Sequence, residues 1–294
     1  MMSKKSAKTS SQNKEKLFGA DGFEQYYCEL YGERWQALKE SFAGEGSSVE
    51  YHVTGAEKSY FLDSASVLAA LCLPLENATD LLDLCAAPGG KTLVLASRMS
   101  AEAKLSSNER SPERKHRLST VVQTCLPPEI SERVITSCSD GATWCTRQNE
   151  CFDRILLDAP CSSERHVIAD PKYLNNWSPS RVKTVTTEQW ALLSSAYRLL
   201  RTEGILLYST CALCPLENDE MIERLYKKFN KEGTAFSLLE PEPHLEEVSA
   251  FVQNLELPGF EKTKYGYMIM PDKQNGAGPI YFSIIRKEKS HFIS

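Results

Sequence analysis

From Asp80 to Cys211 the chain repeats one pattern: a short apolar run, a polar or glycine-rich turn, then a stretch with helical spacing. The apolar runs are Asp80–Leu84, Arg133–Ser137, Phe152–Leu157 and Gly204–Tyr208, with Lys104–Asn108 a weak strand between the first two. Strands that alternate with helices predict βαβ units and a parallel sheet. Each run ends in chemistry: Cys85–Thr92, Glu109, Asp140-Gly141, Asp158–Cys161 and Ser209–Cys211. Open α/β sheets bind ligands at the carboxyl ends of their strands. The pattern therefore predicts one site, assembled from several turns.

The flanks are read from spacing and composition. Residues 1–17, rich in Ser, Lys, Gln and Asn, read as a disordered basic tail. Apolar and aromatic positions from Phe23 to Phe42 recur at helical spacing, and Asp63–Leu75 predicts another helix capped by Asp63 or Ser64. Gly266–Met270 and Pro279–Arg286 predict a terminal β-pair. The expected division is a tail at 1–17, a helical extension at 18–75 and a ligand-binding domain at 76–294.

No apolar run approaches the roughly 20 residues of a spanning helix, so an integral membrane protein is not expected. Met1–Lys16 has no apolar core for export, and without arginine it is a poor transit peptide. The ten cysteines are then expected as reduced thiols in a cytoplasmic protein. The net charge of −5 hides the lysines of the tail and a second basic cluster, Arg110, Arg114, Lys115 and Arg117. On charge alone either reads first as a solvated surface and second as a phosphate contact.

The turn Leu84-Cys-Ala-Ala-Pro-Gly-Gly-Lys91 joins a strand to a helix through small residues, so backbone can approach a ligand closely. It lacks the first glycine of a Walker A loop, and no GxGxxG occurs. An acid after the next strand, Glu109, suits the two hydroxyls of a ribose. A free ribose without a phosphate-binding signature points to S-adenosyl-L-methionine rather than ATP or NADP. The alternative is a structural tight turn with a surface glutamate.

Cys161 and Cys211 end two neighbouring strands of the predicted sheet. A thiol there can be a nucleophile or a buried small hydrophobe. Cys211-Ala-Leu-Cys214 is formally a CxxC, but no second pair completes a zinc site. Methyl transfer to nitrogen or oxygen needs no thiol. Cytosine C5 does, because it becomes nucleophilic only after a thiolate adds at C6. Asp158-Ala-Pro-Cys161 stands where an Asn-Pro-Pro-Tyr tetrad would suggest base N6 chemistry.

Asp83-Leu-Cys-Ala-Ala-Pro-Gly-Gly-Lys91, Asp158-Ala-Pro-Cys161 and Ser209-Thr-Cys211, in this order, resemble the Sun-domain (Fmu-type) RNA cytosine-5 methyltransferases. Pro271-Asp-Lys273 and Gly278-Pro-Ile-Tyr281 look like its short organellar and bacterial branch. The resemblance spans roughly residues 60–286. It implies a Rossmann-like, seven-strand class I methyltransferase core using S-adenosyl-L-methionine. Cys85, Ala86, Ala87, Pro88, Gly89, Gly90 and Lys91 would line the methionine and ribose. Glu109 would hold the ribose hydroxyls with Arg114 beside it, and Asp140 and Gly141 would meet the adenine edge. Asp158 would sit between methyl donor and base, Cys211 would attack C6, and Cys161 would assist release. Glu109 stands where Asp is usual, and Ser162-Ser-Glu-Arg-His166 replaces a small-residue stretch. The implied partner is structured RNA, ribosomal before transfer RNA, with no membrane and no metal. The competing class is an assembly factor that binds RNA and keeps the fold without the chemistry.

Overall fold

The computed structural model describes residues 17–44, 46–231, 236–247 and 257–289. The lysine tail at 1–16 lies outside the described residues. In chain order the elements are α1 (Gly19–Tyr31), α2 (Arg34–Phe42), β1 (Ser48–Tyr51), β2 (Tyr60–Asp63), α3 (Ser64–Leu71), β3 (Asp80–Asp83) and α4 (Gly90–Arg98). There follow β4 (Lys104–Glu109), α5 (Pro112–Cys125), α6 (Pro128–Ser131), β5 (Val134–Cys138), β6 (Phe152–Asp158), α7 (Glu164–Ala169), α8 (Pro171–Asn175) and α9 (Pro179–Leu199). The last are β7 (Leu200–Thr210), α10 (Asp219–Lys231), β8 (Phe236–Leu238), β9 (Glu261–Lys262), β10 (Tyr267–Ile269) and β11 (Ile280–Lys287).

One sheet organises the molecule, in the order β5-β4-β3-β6-β7-β11-β10-β9, with β8 also paired to β11. β5, β4, β3, β6 and β7 run parallel, and β11 enters antiparallel between β7 and β10. Seven of these strands make the Rossmann-like class I core; β8 and β9 are short additions.

Side chains alternate across the strands, so one sheet feeds two cores. Leu81, Leu105, Leu156 and Leu207 pack on one side with the α3 and α4 apolar residues. Leu82, Ile155, Leu157, Leu206 and Tyr208 pack on the other with residues of α1, α2, α9 and α10. All nine are at most 1% exposed, which is why both faces of these strands are apolar.

The segment expected to be helical is more varied. Gly32, at φ +56°, breaks the Phe23–Phe42 pattern into α1 and α2. β1 and β2 form an antiparallel hairpin, with Glu50 opposite Phe61. Their alternation of Val49, Tyr51 and Leu62 with polar or exposed positions is a strand signal too short to outweigh its surroundings. Asp63 caps α3 by accepting from the Ala65 N–H at 2.7 Å. α1 docks through aromatic packing: the Phe23 and Trp177 rings meet edge-on at 5.3 Å, and Tyr27 stacks on Trp35 at 5.0 Å.

Candidate active site

The register of β6 on β7 pairs Asp158 with Ser209. The turns after these strands therefore emerge side by side, and Cys161 Sγ lies 2.8 Å from Cys211 Sγ. The proton belongs on Cys161: its bond to Cys211, then burial, pushes that thiol well up. The same bond pulls the Cys211 thiol below its ordinary value, against the opposing effect of burial. The contact therefore makes Cys211 the more readily ionised of the two sulfurs.

Asp158 is held from two sides. Its Oδ2 meets Lys91 Nζ at 2.7 Å, and its Oδ1 accepts from Ser209 Oγ at 2.8 Å. Burial pulls the Lys91 ammonium down, but the Asp158 carboxylate more than offsets this and the net shift is upward. Lys91 remains a cation at the mouth of the site.

The turn after β3 separates two clefts. The first, about 520 Å³, is lined by Tyr60, Phe61, Ser66, Asp83, Cys85, Ala86, Ala87, Pro88, Gly90, Lys91 and Asp158. The second, about 650 Å³, is lined by Cys85, Asn108, Glu109, Arg110, Arg114, Asp140, Gly141, Pro160 and Glu188 among others. Gly89 lines neither: it turns the chain at φ +125°, and a Cβ there would fall 2.9 Å from Val121 Cγ1. A Cβ on Gly141 would fall 2.8 Å from Leu84 Cδ1, so both glycines answer to close packing.

Hydrogen bonds hold the second cleft. Glu109 Oε1 accepts from the Ser111 N–H at 2.9 Å, and Oε2 meets Arg114 Nη1 at 3.2 Å. Arg114 also donates to the Ala87 carbonyl at 2.7 Å, fastening the glycine turn to the acid. Asp140 accepts from the Ala142 N–H at 3.1 Å and caps the 3-10 turn at Gly141–Thr146. Asn108, which sequence reasoning passed over, binds the Leu84 and Ser139 carbonyls and accepts from Ser137 and Ser139.

Asp83 is 1% exposed. Its Oδ2 accepts from Thr92 Oγ1 at 2.7 Å, while Oδ1 has no hydrogen-bond partner among the described residues. Burial pushes its carboxyl up to about 7.

Two more carboxyls lie behind the thiols. Glu217 accepts from the Ser162 N–H at 2.9 Å, from Ser162 Oγ, and from Gln189 Nε2 at 2.9 Å. Glu164 accepts from Tyr27 OH at 2.5 Å, Ser162 Oγ at 3.2 Å and the Leu213 N–H at 2.9 Å. Both are at most 1% exposed, and burial raises both, Glu217 to about 7. In the sequence they look like ordinary surface glutamates, and no local pattern marks them. Cys214 is buried with its sulfur 3.3 Å from Tyr26 OH, and burial pushes its thiol up to about 12. It is not part of the reactive pair.

Among solved structures, the crystal structure of a methyltransferase homolog from Pyrococcus horikoshii superposes with a TM-score of 0.65 at 20% identity. The match covers 90% of this chain and 94% of that one, a likeness of fold. Among curated proteins, the 5-cytosine rRNA methyltransferase NSUN4 of Mus musculus is 30% identical over 76% of this chain and 58% of its own length. The mitochondrial tRNA (cytosine(34)-C(5))-methyltransferase of Danio rerio is 30% identical over 80% of this chain and 63% of its own. The chain thus spans less than two thirds of these relatives. The expected cytoplasmic location is corrected by the second of them, which is named as mitochondrial. The fold and its thiol pair are indifferent to compartment, so neither could have located the protein. The family described as 16S rRNA methyltransferase RsmB/F matches residues 70–271. With a match over most of its length, this chain belongs to the RsmB/F family of RNA methyltransferases.

Proposed function

We propose that this chain is an S-adenosyl-L-methionine-dependent RNA cytosine-5 methyltransferase that acts on ribosomal RNA through a covalent Cys211–C6 adduct. The observation that carries it is the polarised sulfur pair, Cys161 and Cys211 at 2.8 Å, beside the Asp158–Lys91 ion pair. The two named relatives support cytosine C5 as the target, one on rRNA and one on tRNA; the tRNA enzyme keeps transfer RNA as a second reading.

The cofactor fits on structural grounds. The orphaned Asp83 oxygen needs a donor or cation in the first cleft, and Glu109 presents an acceptor pair in the second. S-adenosyl-L-methionine, when bound, supplies an electrophilic methyl group. Cys85–Pro88, Gly90, Lys91 and Asp83 would hold its methionine end and Glu109 its ribose, with Arg114 bracing Glu109 and Gly89 shaping the turn. Asp140 and Gly141 would flank the adenine. Residues 76–294 would form the catalytic unit, with 18–75 as its extension.

The base must leave its stack to reach a recessed thiolate, at a cost of a few kcal/mol. Cys211 then adds its sulfur lone pair to C6, and the C5–C6 π electrons shift toward the ring amide. Asp158 and Lys91 present an acceptor and a cation to that edge, where charge accumulates. C5 then takes the methyl group. Loss of the C5 proton to a base drives the electrons back, the Cys211–C6 bond breaks, and sulfur leaves as thiolate. Cys161 would assist this last step.

The test is Cys161→Ala protein incubated with total RNA and S-adenosyl-L-methionine on a denaturing gel. A covalent protein–RNA band is expected, absent from Cys161→Ala/Cys211→Ala, and sequencing the trapped RNA would name the target. No band, together with no methyl transfer by wild type to any RNA pool, would refute the reading.

A further inference from the structure

We propose that Glu164 is a positioning residue for the nucleophile: its carboxylate ties the Cys211 loop to the Cys161 loop and to helix α1, and so sets how the two sulfurs meet. The proposal rests on Cys211 being the nucleophile.

The contacts define the role. Leu213 lies two residues past Cys211, and its peptide is gripped at both ends: the N–H by Glu164 at 2.9 Å, the C=O by Tyr31 OH at 2.6 Å. Ser162, the residue after Cys161, donates its N–H to Glu217 and sets its hydroxyl between the Glu217 and Glu164 carboxyls, 3.2 Å from the latter. Tyr27 OH completes the triangle from α1. One carboxylate, carried on the Cys161 loop, thus collects donors from two segments distant in sequence, α1 and the Cys211 loop. The Leu213 N–H can only donate, so the position demands an acceptor.

The expense of the arrangement argues that it is used. Glu164 is 1% exposed, and no Lys or Arg pairs with it among the described residues. A buried carboxyl without a cation is unfavourable, and an apolar residue of the same size would pack more cheaply. Ser163, just before it, holds a left-handed φ of +50°, a strained setting for a residue with a Cβ. Buried behind the sulfurs and bonded to the segments that carry them, Glu164 acts through those loops.

The test compares Glu164→Met, which removes the acceptor at similar size, with Glu164→Gln, which keeps one oxygen for the Leu213 N–H. The Tyr27 hydroxyl can turn to accept from the Gln amide. Two readouts are taken: steady-state methyl transfer, and the pH profile of iodoacetamide alkylation at Cys211 by peptide mass spectrometry. Glu164→Met is expected to lower kcat roughly 10- to 100-fold, the scale of a small misplacement of a reacting group, with KM for the methyl donor little changed. Both variants also remove a negative charge that holds the Cys211 thiol up, so their profiles are compared with each other. Glu164→Met should lie at higher pH than Glu164→Gln, which keeps the Leu213 bond and should restore kcat to near wild type. Unchanged kcat in Glu164→Met, with a profile matching that of Glu164→Gln, would overturn the proposal. So would equal losses in both variants with coincident profiles, which would mark a merely structural group. If Glu164→Met does not fold, Tyr27→Phe removes one hydroxyl and keeps the ring; a smaller shift of both readouts in the same direction supports the proposal, and none refutes it. Alkylation needs no RNA, so it reports on positioning even if wild type methylates nothing.

Discussion

Asp83 makes a quantitative test of cofactor binding. Burial, with one oxygen unpaired, raises its carboxyl to about 7, so below that pH the empty protein carries a proton there. A cationic ligand in the adjoining cleft favours the ionised form and must displace the proton, so binding is tighter on the alkaline side. With the free-protein value at about 7 and the carboxyl ionised in the complex throughout this range, the competent fraction rises from about 3% at pH 5.5 to about 50% at pH 7.0. That predicts an affinity gain of about 16-fold, or about 1.6 kcal/mol, over this range. Below pH 7 the α-ammonium of S-adenosyl-L-methionine stays mostly charged, which leaves the carboxyl as the main titrating partner. Isothermal titration at both pH values, in two buffers of different ionisation enthalpy, reads affinity and proton count together. About half a proton should be released per ligand at pH 7.0. Asp83→Asn should abolish the slope and the release. A flat wild-type profile, or the same slope in Asp83→Asn, would refute the argument.

Two further outcomes follow from particular contacts. Glu109→Ala should weaken S-adenosyl-L-methionine binding by roughly 10- to 100-fold, the value of one or two charge-assisted hydrogen bonds; an unchanged Kd by titration would remove Glu109 from the ribose site. Arg34 holds Asp272 at 2.7 Å and Glu261 at 2.7 Å, so Arg34→Met should cost about 1–2 kcal/mol in urea unfolding after allowance for partial exposure. The Arg34 hydrogen bonds hold Glu261 down at about 2, so this stabilisation is complete above its ordinary value near 4.5 and disappears as pH falls through about 2. A cost independent of pH would show that the pair is not its source.

What the sequence discloses follows from the range of the forces involved. The strands β3, β6 and β7 were legible because burial on both faces leaves apolar runs, whereas β4, Lys104-Leu-Ser-Ser-Asn-Glu109, gives a weaker signal. Cys161 and Cys211 were legible as strand-end residues, but their 2.8 Å meeting depends on the β6–β7 register, which no local pattern states. The hairpin of β1 and β2 was hidden by strands of four residues each. Glu164 and Glu217 were hidden more deeply: a glutamate in a loop signals solvent, and only the convergence of Ser162, Leu213, Gln189 and Tyr27 makes these two interior. Ser162–His166 had stood out as a departure from a small-residue stretch; Glu164 and the Arg165 bonds to the Gly276 and Gly278 carbonyls, at 2.6 and 2.8 Å, explain why small residues do not serve there.

The place of β11 carries a consequence for biosynthesis. Ile280–Lys287 is synthesised about 70 residues after β7, yet it lies beside it inside the sheet, bonded along β7 from Ile205 to Thr210. Until it arrives, the strand that presents Cys211 has a bare hydrogen-bonding edge, open to mispairing with other chains. The parallel half of the sheet, β5 to β7, can assemble during synthesis, but the thiol pair acquires its full support only after translation reaches Lys287. A nascent chain is therefore kept inactive by its own topology, and chaperone dependence should concentrate in the interval between synthesis of β7 and of β11.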